Sequence, residues 1–566
     1  MTNTPQQLSN GIIFNPHSLS KPYKAADFVP KPIPKDLSNV LANPEVNSSV
    51  KAGVDKIYLG QGAKDPKKSD RIPVYLPADL LSSHVLIAGA IGSGKTCLLL
   101  RLLAGALKTH TVVISEAKAG IGGGEEGAAF TDIAKYIQQK YPNLKTYRWV
   151  RGNCTFNPLL YLKSSQERRI FLDAVCHQIQ TNSGISGDMV AFVYNAANIA
   201  ELIITYLQDF SAPKQVAKSC TLRNVVKFLR QPMAIKREIA SLRRNLQQKL
   251  EKSPTPQLQG WLYHLEAIAS QLEMLNFFYL QDPKMIMTRH GVNLFANLFD
   301  HQDLLYYSEP QDHLPELQLD DILYEKSLVI VSQPLNDPAS QVVGPLFWDS
   351  LLAKVLERGP NPQPKDGKPR QKIIAVLDET HRLPIGRLGE SGDFLREYNL
   401  GLVEVTPTIV DEERWNQNKH VYQTLISLSP GVPAVVELMQ SRLPNFFLKR
   451  GLNITTNSKG RSQAELSIDP NYQYSLSQDN PGTSARSLSM TGRFTGLLQS
   501  VALDSKGQVF WVDFEDELLK HIKQLLAQAV LPDCPRDIKQ AVDYVLGLAE
   551  WKSTNSTLKI ASYSRY

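Results

Sequence analysis

The stretch Ser83–Leu107, SHVLIAGAIGSGKTCLLLRLLAGAL, indicates how this chain folds. It begins with HVLIAG, an apolar run of the length of a buried strand, and ends in TCLLLRLLAGAL, which predicts a helix buried on nearly every side. Between them, GAIGSGKT matches the phosphate-binding pattern G-x-x-x-x-G-K-[ST] in full. A strand, this loop and a helix in that order predict a nucleotide site at the edge of an α/β sheet.

The residue types of this loop suit a nucleotide phosphate chain. Glycines let the backbone bend closely around the phosphates and present N–H groups to them. Lys95 places a positive charge beside the β- and γ-phosphates, and the Thr96 hydroxyl is a ligand for Mg²⁺. ATP and Mg²⁺ are therefore the predicted cofactors. The predicted nucleotide-binding residues here are Gly89, Gly92, Ser93, Gly94, Lys95, Thr96 and Cys97.

Residues 372–379, KIIAVLDE, predict the second half of the site. Five of the six residues before the acidic pair are apolar, which favours a buried strand over a solvated acidic segment. At the end of such a strand Asp378 would hold Mg²⁺ through water, and Glu379 would polarise the attacking water. Because hydrolysis requires a base at the water, the pair predicts an ATPase rather than a binding-only switch.

Two further strands are predicted to end at the same edge of the sheet, where ligands of open α/β sheets bind. The strand at 110–118 carries Glu116 and Lys118, which either reach the nucleotide or form a structural ion pair. The strand at 400–408 carries Thr406 and Thr408, which either sense the γ-phosphate or cap the strand. His381, after the acidic pair, either reports on bound nucleotide or is a surface residue, and we favour the second interpretation.

Composition indicates an ordinary intracellular globular protein. The chain has 566 residues, enough for about two to four domains, and a net charge of +7. Its five cysteines lie far apart without a C-x-x-C pair, which argues against a zinc site or a disulfide framework. The N-terminus lacks the pattern of a signal peptide, and no window reaches ~18 uninterrupted apolar residues. We therefore expect a soluble, cytoplasmic protein that does not itself insert into a membrane.

Changes in composition and periodicity along the chain predict its domain organisation. Strands alternating with helices predict a largely parallel sheet covered on both faces, and a long helical segment without strand signals predicts an all-α insertion. The predicted regions are an extended N-terminal arm (1–70), the first half of an α/β core (71–162), an all-α insertion (163–320), the second half of the core with a C-terminal hairpin (321–515) and a helical tail (516–566).

The order of these motifs resembles the conjugative coupling proteins of TraG/TraD type, within the HerA/FtsK superfamily of DNA-translocating ring ATPases. The resemblance covers roughly residues 70–450, and the hairpin near 493–513 is similar to the closing strands of the HerA branch. It is carried by PVYLPADLLSSHVLIAGAIGSGKT, SEAKAG, FNPL, the all-α insertion, SLVIVSQPLND and LDE, in that order.

The chain departs from the family pattern at three places. Coupling proteins typically begin with membrane helices, and no such segment is predicted here. The family usually carries Thr-Gln at the end of the sensor strand, where this chain has Thr406-Pro407. The usual aspartate of the second strand is Glu116.

The resemblance implies a RecA-like motor core in a homohexameric ring, with ATP and Mg²⁺ bound between subunits. A neighbouring subunit would then supply an arginine to the γ-phosphate, and Arg396, Arg414 and Arg493 are the candidates. It also implies a pore lined by motor loops, an α insertion that selects substrate on one face, and a relaxase-like or nuclease partner.

The strongest charge signal lies in the insertion. Residues 218–252 contain ten Lys or Arg residues against two acidic residues. Such a surface either binds nucleic acid phosphates or is a solvated helix face. The predicted nucleic-acid contacts are Lys236, Arg237, Arg243 and Arg244.

Two functions follow as expectations. The first is an ATP-driven ring motor that translocates DNA. The alternative is an ATPase subunit that drives or remodels a partner protein complex in nuclease-associated, defence or secretion processes. The sequence shows no nuclease-like cluster of carboxylates and lysine, so cleavage would require a separate subunit.

Overall fold

The structure is a computed structural model of the chain. It describes residues 55–62, 72–117, 129–183, 187–211, 216–333, 340–360, 371–379, 385, 388, 392–409, 412–428, 431–442, 451–456, 462–467, 495–500, 509–514, 519 and 521–548.

An eleven-stranded sheet forms the core, with the order β2-β1-β13-β12-β9-β3-β8-β7-β4-β6-β5. Neighbouring strands from β9 to β5 are parallel, and those from β9 back to β2 are antiparallel. β10 and β11 pair separately. The strands are β1 Lys56–Gly62, β2 Ile72–Pro77, β3 Val85–Ala88, β4 Thr111–Glu116, β5 Lys145–Trp149, β6 Ser327–Ser332, β7 Ile373–Asp378, β8 Leu400–Thr406, β9 Thr424–Leu428, β10 Gly451–Thr456, β11 Ser462–Ser467, β12 Thr495–Ser500 and β13 Val509–Asp513.

Helices cover both faces of this sheet. Successive residues of β4 point to opposite sides, so that Val113 enters one hydrophobic core while Val112 and Ile114 enter another. The predicted α/β fold with a largely parallel sheet is therefore confirmed. The helices of this core are α1 Lys95–Ala106, α2 Ala129–Lys140, α12 Ser340–Arg358, α13 Gly392–Leu395, α14 Glu412–Asn418, α15 Pro433–Ser441, α16 Ile522–Ala529 and α17 Arg536–Val545.

Between β5 and β6 the described chain forms helices and no strand, which we call the α block. Its core continues into one face of the sheet through Trp149, Phe156 and Phe347, whose rings pack within 5.9 Å of one another. The helices are α3 Ser165–Ser183, α4 Asp188–Asp209, α5 Val216–Ser219, α6 Leu222–Arg230, α7 Pro232–Lys252, α8 Pro256–Met274, α9 Ile286–Phe299, α10 Gln302–Tyr307 and α11 Leu319–Tyr324.

α4 is the one helix in the described part of the chain that is long and apolar enough to cross a membrane by length and composition. Half of its most apolar window is buried inside the fold. Its apolar side chains, among them Val193 and Ile203, belong to the core shared by the α block and the sheet. Packing within this core accounts for its apolar character.

The N-terminal region differs from the prediction in its secondary structure. Residues 56–62 were predicted in an extended arm, but they form β1, which pairs with β2 and β13 and buries Ile57 and Leu59. Residues 1–54 lie outside the described residues. In the region predicted as a hairpin, β12 and β13 pair antiparallel, and residues 501–508 between them lie outside the described residues. In the region predicted as a tail, residues 521–548 contain α16 and α17.

Candidate nucleotide site

The phosphate-binding loop joins β3 to α1. Gly92 and Gly94 have positive φ angles of 81° and 100°, a conformation that glycine adopts without strain. Gly89 is needed for close packing, because an added Cβ would lie 2.7 Å from Ser93 Oγ and 2.8 Å from Leu428 Cβ. At Gly92 an added Cβ would meet nothing within 4 Å, so this face of the loop is open.

The loop and the start of α1 offer hydrogen-bond donors to an anion. No side chain caps the N-terminus of α1, and no acidic residue occupies its first turn. The Lys95 ammonium donates to the carbonyl oxygens of Gly89 (2.7 Å) and Ala90 (3.0 Å). Ser93 Oγ is buried without a hydrogen-bond partner among the described residues. A helix N-terminus that no side chain caps, beside a lysine, fits a phosphate group.

The acidic pair lies at the same edge of the sheet. β8 separates β3 from β7, with Ala88 opposite Thr406 and Asp378 opposite Val405. Asp378 is the buried last residue of β7. Glu379 follows with a φ of 57°, and its N–H donates to the carbonyl of Val405 over 3.1 Å. The fold thus brings the loop and the acidic pair to the same edge of the sheet, with one strand between them.

Thr406 lies between these two parts of the site. The Gly89 N–H donates to its carbonyl oxygen over 3.3 Å, which fixes the loop against the end of β8. The buried Thr406 hydroxyl donates to the Thr408 carbonyl and accepts the Thr408 N–H at 3.3 Å. The position of Thr406, between the loop and the acidic pair, fits the predicted γ-phosphate sensor. Its hydrogen bonds to Thr408 fit the alternative prediction, that its side chain caps the end of the strand.

Glu116 ends β4, on the other side of β7, and is completely buried. Its Oε2 lies 3.2 Å from Arg148 Nη2, and its Oε1 has no hydrogen-bond partner among the described residues. Burial raises the Glu116 pKa to about 7, and the charges of Asp378 and Asp132 add to that rise while Arg148 opposes it. Lys118, the predicted partner of Glu116 in an ion pair, lies outside the described residues. The described ion pair of Glu116 is with Arg148.

The remaining residues at the site are compatible with a hydrated Mg²⁺. Thr96 and Asp378 offer oxygen atoms, which this ion prefers. The described residues contain no group of three or more His, Cys, Asp or Glu that could hold a metal by itself. Mg²⁺ commonly keeps several waters and binds through few protein ligands together with phosphates, so this set fits it. Cys97, on the first turn of α1, is half-buried, and burial raises its thiol pKa.

The three candidate arginines differ in their surroundings. Arg396 is exposed in a 3₁₀ turn after α13. Arg414, on α14, binds both carboxylate oxygens of Glu404 at 3.0 and 2.9 Å, and the Tyr422 hydroxyl donates to the same carboxylate over 2.7 Å. Arg493 lies outside the described residues, as does His381. Thr408, the second sensor candidate, is exposed.

The four predicted nucleic-acid contacts lie on α7 in the α block. Arg237 and Arg244 are exposed, and each donates to a carbonyl of its own helix, at Met233 and Ala240 respectively. Arg243 forms an ion pair with Glu266 of α8 at 2.8 Å. Lys236 lies over the rings of Phe278 and Tyr279, at 5.1 and 5.6 Å from their centroids. Two of the four cations are thus partly engaged within the chain.

Sequence reasoning missed two polar residues near this edge. Ser427 lies in β9 opposite Ala88, is buried, and its Oγ has no hydrogen-bond partner among the described residues. Arg148 in β5 contacts Glu116 across β6. A serine near a strand end and an arginine among aromatic residues carry no local motif, so only the strand order reveals them.

Comparison with known proteins returns similarity at the level of structure. No protein-family model and no curated protein matches the sequence. The bacterial conjugative coupling protein TrwBdeltaN70, in complex with sulphate, aligns at 12% identity with a TM-score of 0.46, covering 84% of this chain and 93% of the other. TrwB in complex with ADP and Mg²⁺ aligns at 11% identity with a TM-score of 0.46, covering 84% of this chain and 92% of the other. VirB4 of Thermoanaerobacter pseudethanolicus aligns at 13% identity with a TM-score of 0.42, covering 82% of this chain and 98% of the other.

Proposed function

We propose that this chain is an ATPase that binds ATP and Mg²⁺ at the junction of β3, β8 and β7. The observation that carries the proposal is the meeting of the glycine loop, Lys95 and the Asp378–Glu379 pair at one sheet edge, with Thr406 between them. Each half of this arrangement is a general nucleotide motif, and their adjacency in the fold supports hydrolysis rather than binding alone.

The residues of the site divide the chemistry among them. Lys95 exchanges its hydrogen bonds to the Gly89 and Ala90 carbonyls for contacts with the phosphates. Bound Mg²⁺ neutralises the charge that develops on the phosphate oxygens. Asp378 would hold that ion through a bound water. Glu379 would accept a proton from a second water as that water attacks the γ-phosphorus and the bond from the γ-phosphorus to the β–γ bridging oxygen breaks, which leaves ADP. The donors at the start of α1 hold the remaining phosphate oxygens in place.

The site is completed by a second copy of the chain in a homohexameric ring. Ile91, at the tip of the phosphate-binding loop, is 91% exposed, although it is a large apolar residue. A neighbouring subunit that covers the loop would remove this side chain from water, and it would bring an arginine to the γ-phosphate. Arg396 is exposed and available for that role, whereas Arg414 is held by Glu404.

DNA is the cargo of this motor, and the chain acts in the cytoplasm. The support is the basic side of α7, where Arg237 and Arg244 face solvent, together with the motif order that resembles DNA-translocating coupling ATPases. Contacts of this kind neutralise phosphates, so binding would weaken as salt rises. A relaxase-like protein or a nuclease would supply the chemistry that this chain lacks.

One observation favours the second candidate, an ATPase that remodels a partner protein. The α block exposes large apolar side chains, with Met274 80%, Tyr263 77% and Ile286 56% accessible. Exposed apolar residues on one block are typical of protein contacts. Under this alternative the hydrolysis site is unchanged, but the partner is a protein complex.

The ATPase rate measured with and without single- and double-stranded DNA separates these candidates, on a sample sized by light scattering. A motor predicts a rate raised several-fold by DNA and a particle of about six times the 63.2 kDa subunit. Arg237→Glu should weaken the stimulation, and Lys135→Glu, at an exposed lysine of the motor core, should not. A rate unaffected by either DNA, but raised by a partner protein, would favour remodelling.

A further inference from the structure

Arg148, in β5, connects three separate elements at the nucleotide edge of the sheet. Its Nε donates to Ser332 Oγ of β6 over 3.0 Å, and its Nη1 donates to Thr131 Oγ1 of α2 over 2.8 Å. Its Nη2 reaches Glu116 Oε2 of β4 at 3.2 Å. A planar guanidinium with its donors fixed on three partners holds the Glu116 carboxylate in one place.

A strained turn follows Arg148 directly. Val150 and Arg151 have φ angles of 62° and 54°, and a β-branched residue in this conformation is a genuine outlier. Gly152 has no room for a side chain, since an added Cβ would lie 2.0 Å from the Arg148 carbonyl oxygen. The N–H groups of Asn153 and Cys154 donate to that same oxygen at 3.1 and 3.4 Å. The turn is held by its surroundings and has little freedom to absorb a displacement.

The turn leads straight into the α block and is bonded to it on both sides. The Trp149 indole N–H and the Phe156 N–H both donate to the Tyr307 carbonyl, at 3.0 and 2.9 Å. Arg151 forms an ion pair with Asp303. The Thr155 N–H donates to the Pro315 carbonyl over 3.0 Å, and the Leu317 N–H donates to the Thr155 carbonyl over 2.7 Å. Residues 303–317 are thus connected without a break to Glu116.

We propose that Arg148 is a positioning residue that couples the nucleotide edge to the α block through residues 149–156. The proposal rests on the proposed function, because it requires a nucleotide to bind beside Asp378. A phosphate chain and its cation change the charge beside Glu116, whose carboxylate then repositions with Arg148. Since the turn after Arg148 is tightly held, the displacement reaches residues 303–317 rather than being lost in a loose loop.

Amide hydrogen exchange of the full chain, with and without a non-hydrolysable ATP analogue and Mg²⁺, tests this coupling. In the parent protein the analogue should protect residues 89–97 and also change exchange in 303–317. Arg148→Ala should keep analogue affinity within about three-fold and keep the protection at 89–97, but lose the change in 303–317. A purely structural role would alter exchange in 303–317 equally with and without the analogue.

Arg223→Ala is the matched control, because Arg223 pairs with Glu309 at 2.9 Å in the same part of the α block without reaching the nucleotide edge. This variant should retain the response of 303–317. If Arg148→Ala does not fold, Arg148→Lys replaces it in the experiment. Lysine keeps the positive charge but cannot contact Ser332, Thr131 and Glu116 together, so this variant should lose most of the change in exchange at 303–317.

The outcomes separate the coupling from the proposed function. Protection at 89–97 without any change in 303–317 of the parent overturns the coupling and leaves the ATPase proposal intact. A response in 303–317 that survives in a folded Arg148 variant also overturns it. If the analogue protects no residue, the nucleotide site itself is refuted, and the coupling with it.

Discussion

Glu379 has a left-handed backbone conformation, which glycine adopts more readily than glutamate. Its φ of 57° turns the chain directly after Asp378, at the edge of the sheet where the phosphate-binding loop lies. An L-residue in this region costs roughly 1–2 kcal/mol, which glycine avoids. Strain of this kind at a predicted base is consistent with a residue retained for chemistry.

Glu379→Gly and Glu379→Ala should therefore differ in stability while both lose hydrolysis. We expect the glycine variant to be about 1 kcal/mol more stable than the alanine variant, because only glycine accepts the positive φ without strain. Urea unfolding of both variants measures the difference. Equal stability, or a more stable alanine variant, would argue against strain at this position.

A second residue-scale property is the titration of His110, which is buried just before β4. Its ring nitrogens contact the hydroxyls of Thr109 at 2.7 Å and Ser82 at 3.3 Å. Burial, with the nearby Lys372 charge, lowers its pKa from 6.5 to about 4. The unfolded chain then binds a proton more readily than the folded one, so its contribution to stability is complete above pH 6.5 and is lost as pH falls towards 4.

The unfolding free energy of the parent, minus that of His110→Gln, should accordingly decrease by about 1–3 kcal/mol between pH 7 and pH 4. Carboxylates that titrate in both proteins cancel in this difference. The glutamine side chain can still bond the two hydroxyls, which makes the variant a suitable reference. A difference that stays constant across this range would show that His110 is not held neutral.

At the scale of elements, the sequence predicts those whose signal is local. β3, the loop and α1 follow from one continuous pattern, and β7 follows from an apolar run that ends in Asp378 and Glu379. β9 is only five residues long, and TLISL fits either a strand or part of a helix. β1 was placed in the extended arm. It pairs with β2, which follows closely in sequence, but its other neighbour, β13, lies near the opposite end of the chain, with Gln61 opposite Asp513.

The same distinction holds for the side chains of the site. The phosphate-binding residues belong to one motif, so their adjacency is fixed by local geometry. The contact of Arg148 with Glu116 depends on β5, β6 and β4 being neighbours, which is a property of the strand order. Pairing between strands distant in sequence is decided by packing of the whole core and leaves no local signal.

At the scale of the whole molecule, the proposed hexameric ring requires one arginine to act on the γ-phosphate bound by a neighbouring subunit. Arg396→Ala should keep nucleotide affinity but lower the hydrolysis rate by about 10³-fold. In the proposed ring, this arginine would come from a neighbouring subunit and stabilise the transition state rather than bound ATP. Arg414→Ala should instead lower stability by roughly 2–4 kcal/mol, because it leaves the buried Glu404 without its bidentate partner.

Steady-state kinetics and urea unfolding of both variants check this pair of expectations. Arg223→Ala, which breaks an exposed ion pair in the α block, should change neither property substantially. If Arg414→Ala is as stable as the parent and loses hydrolysis, the assignments of the two arginines are reversed.

The central claim is that Glu379 activates water at a nucleotide site formed by the loop and Asp378. The decisive experiment measures ATP binding, and hydrolysis in a single turnover with the protein in excess over ATP and with saturating Mg²⁺, for the parent and for Glu379→Gln. Glu379→Gln should bind ATP with parental affinity and hydrolyse it at least about 10²-fold more slowly. Hydrolysis by this variant at the parental rate would show that Glu379 is not the base.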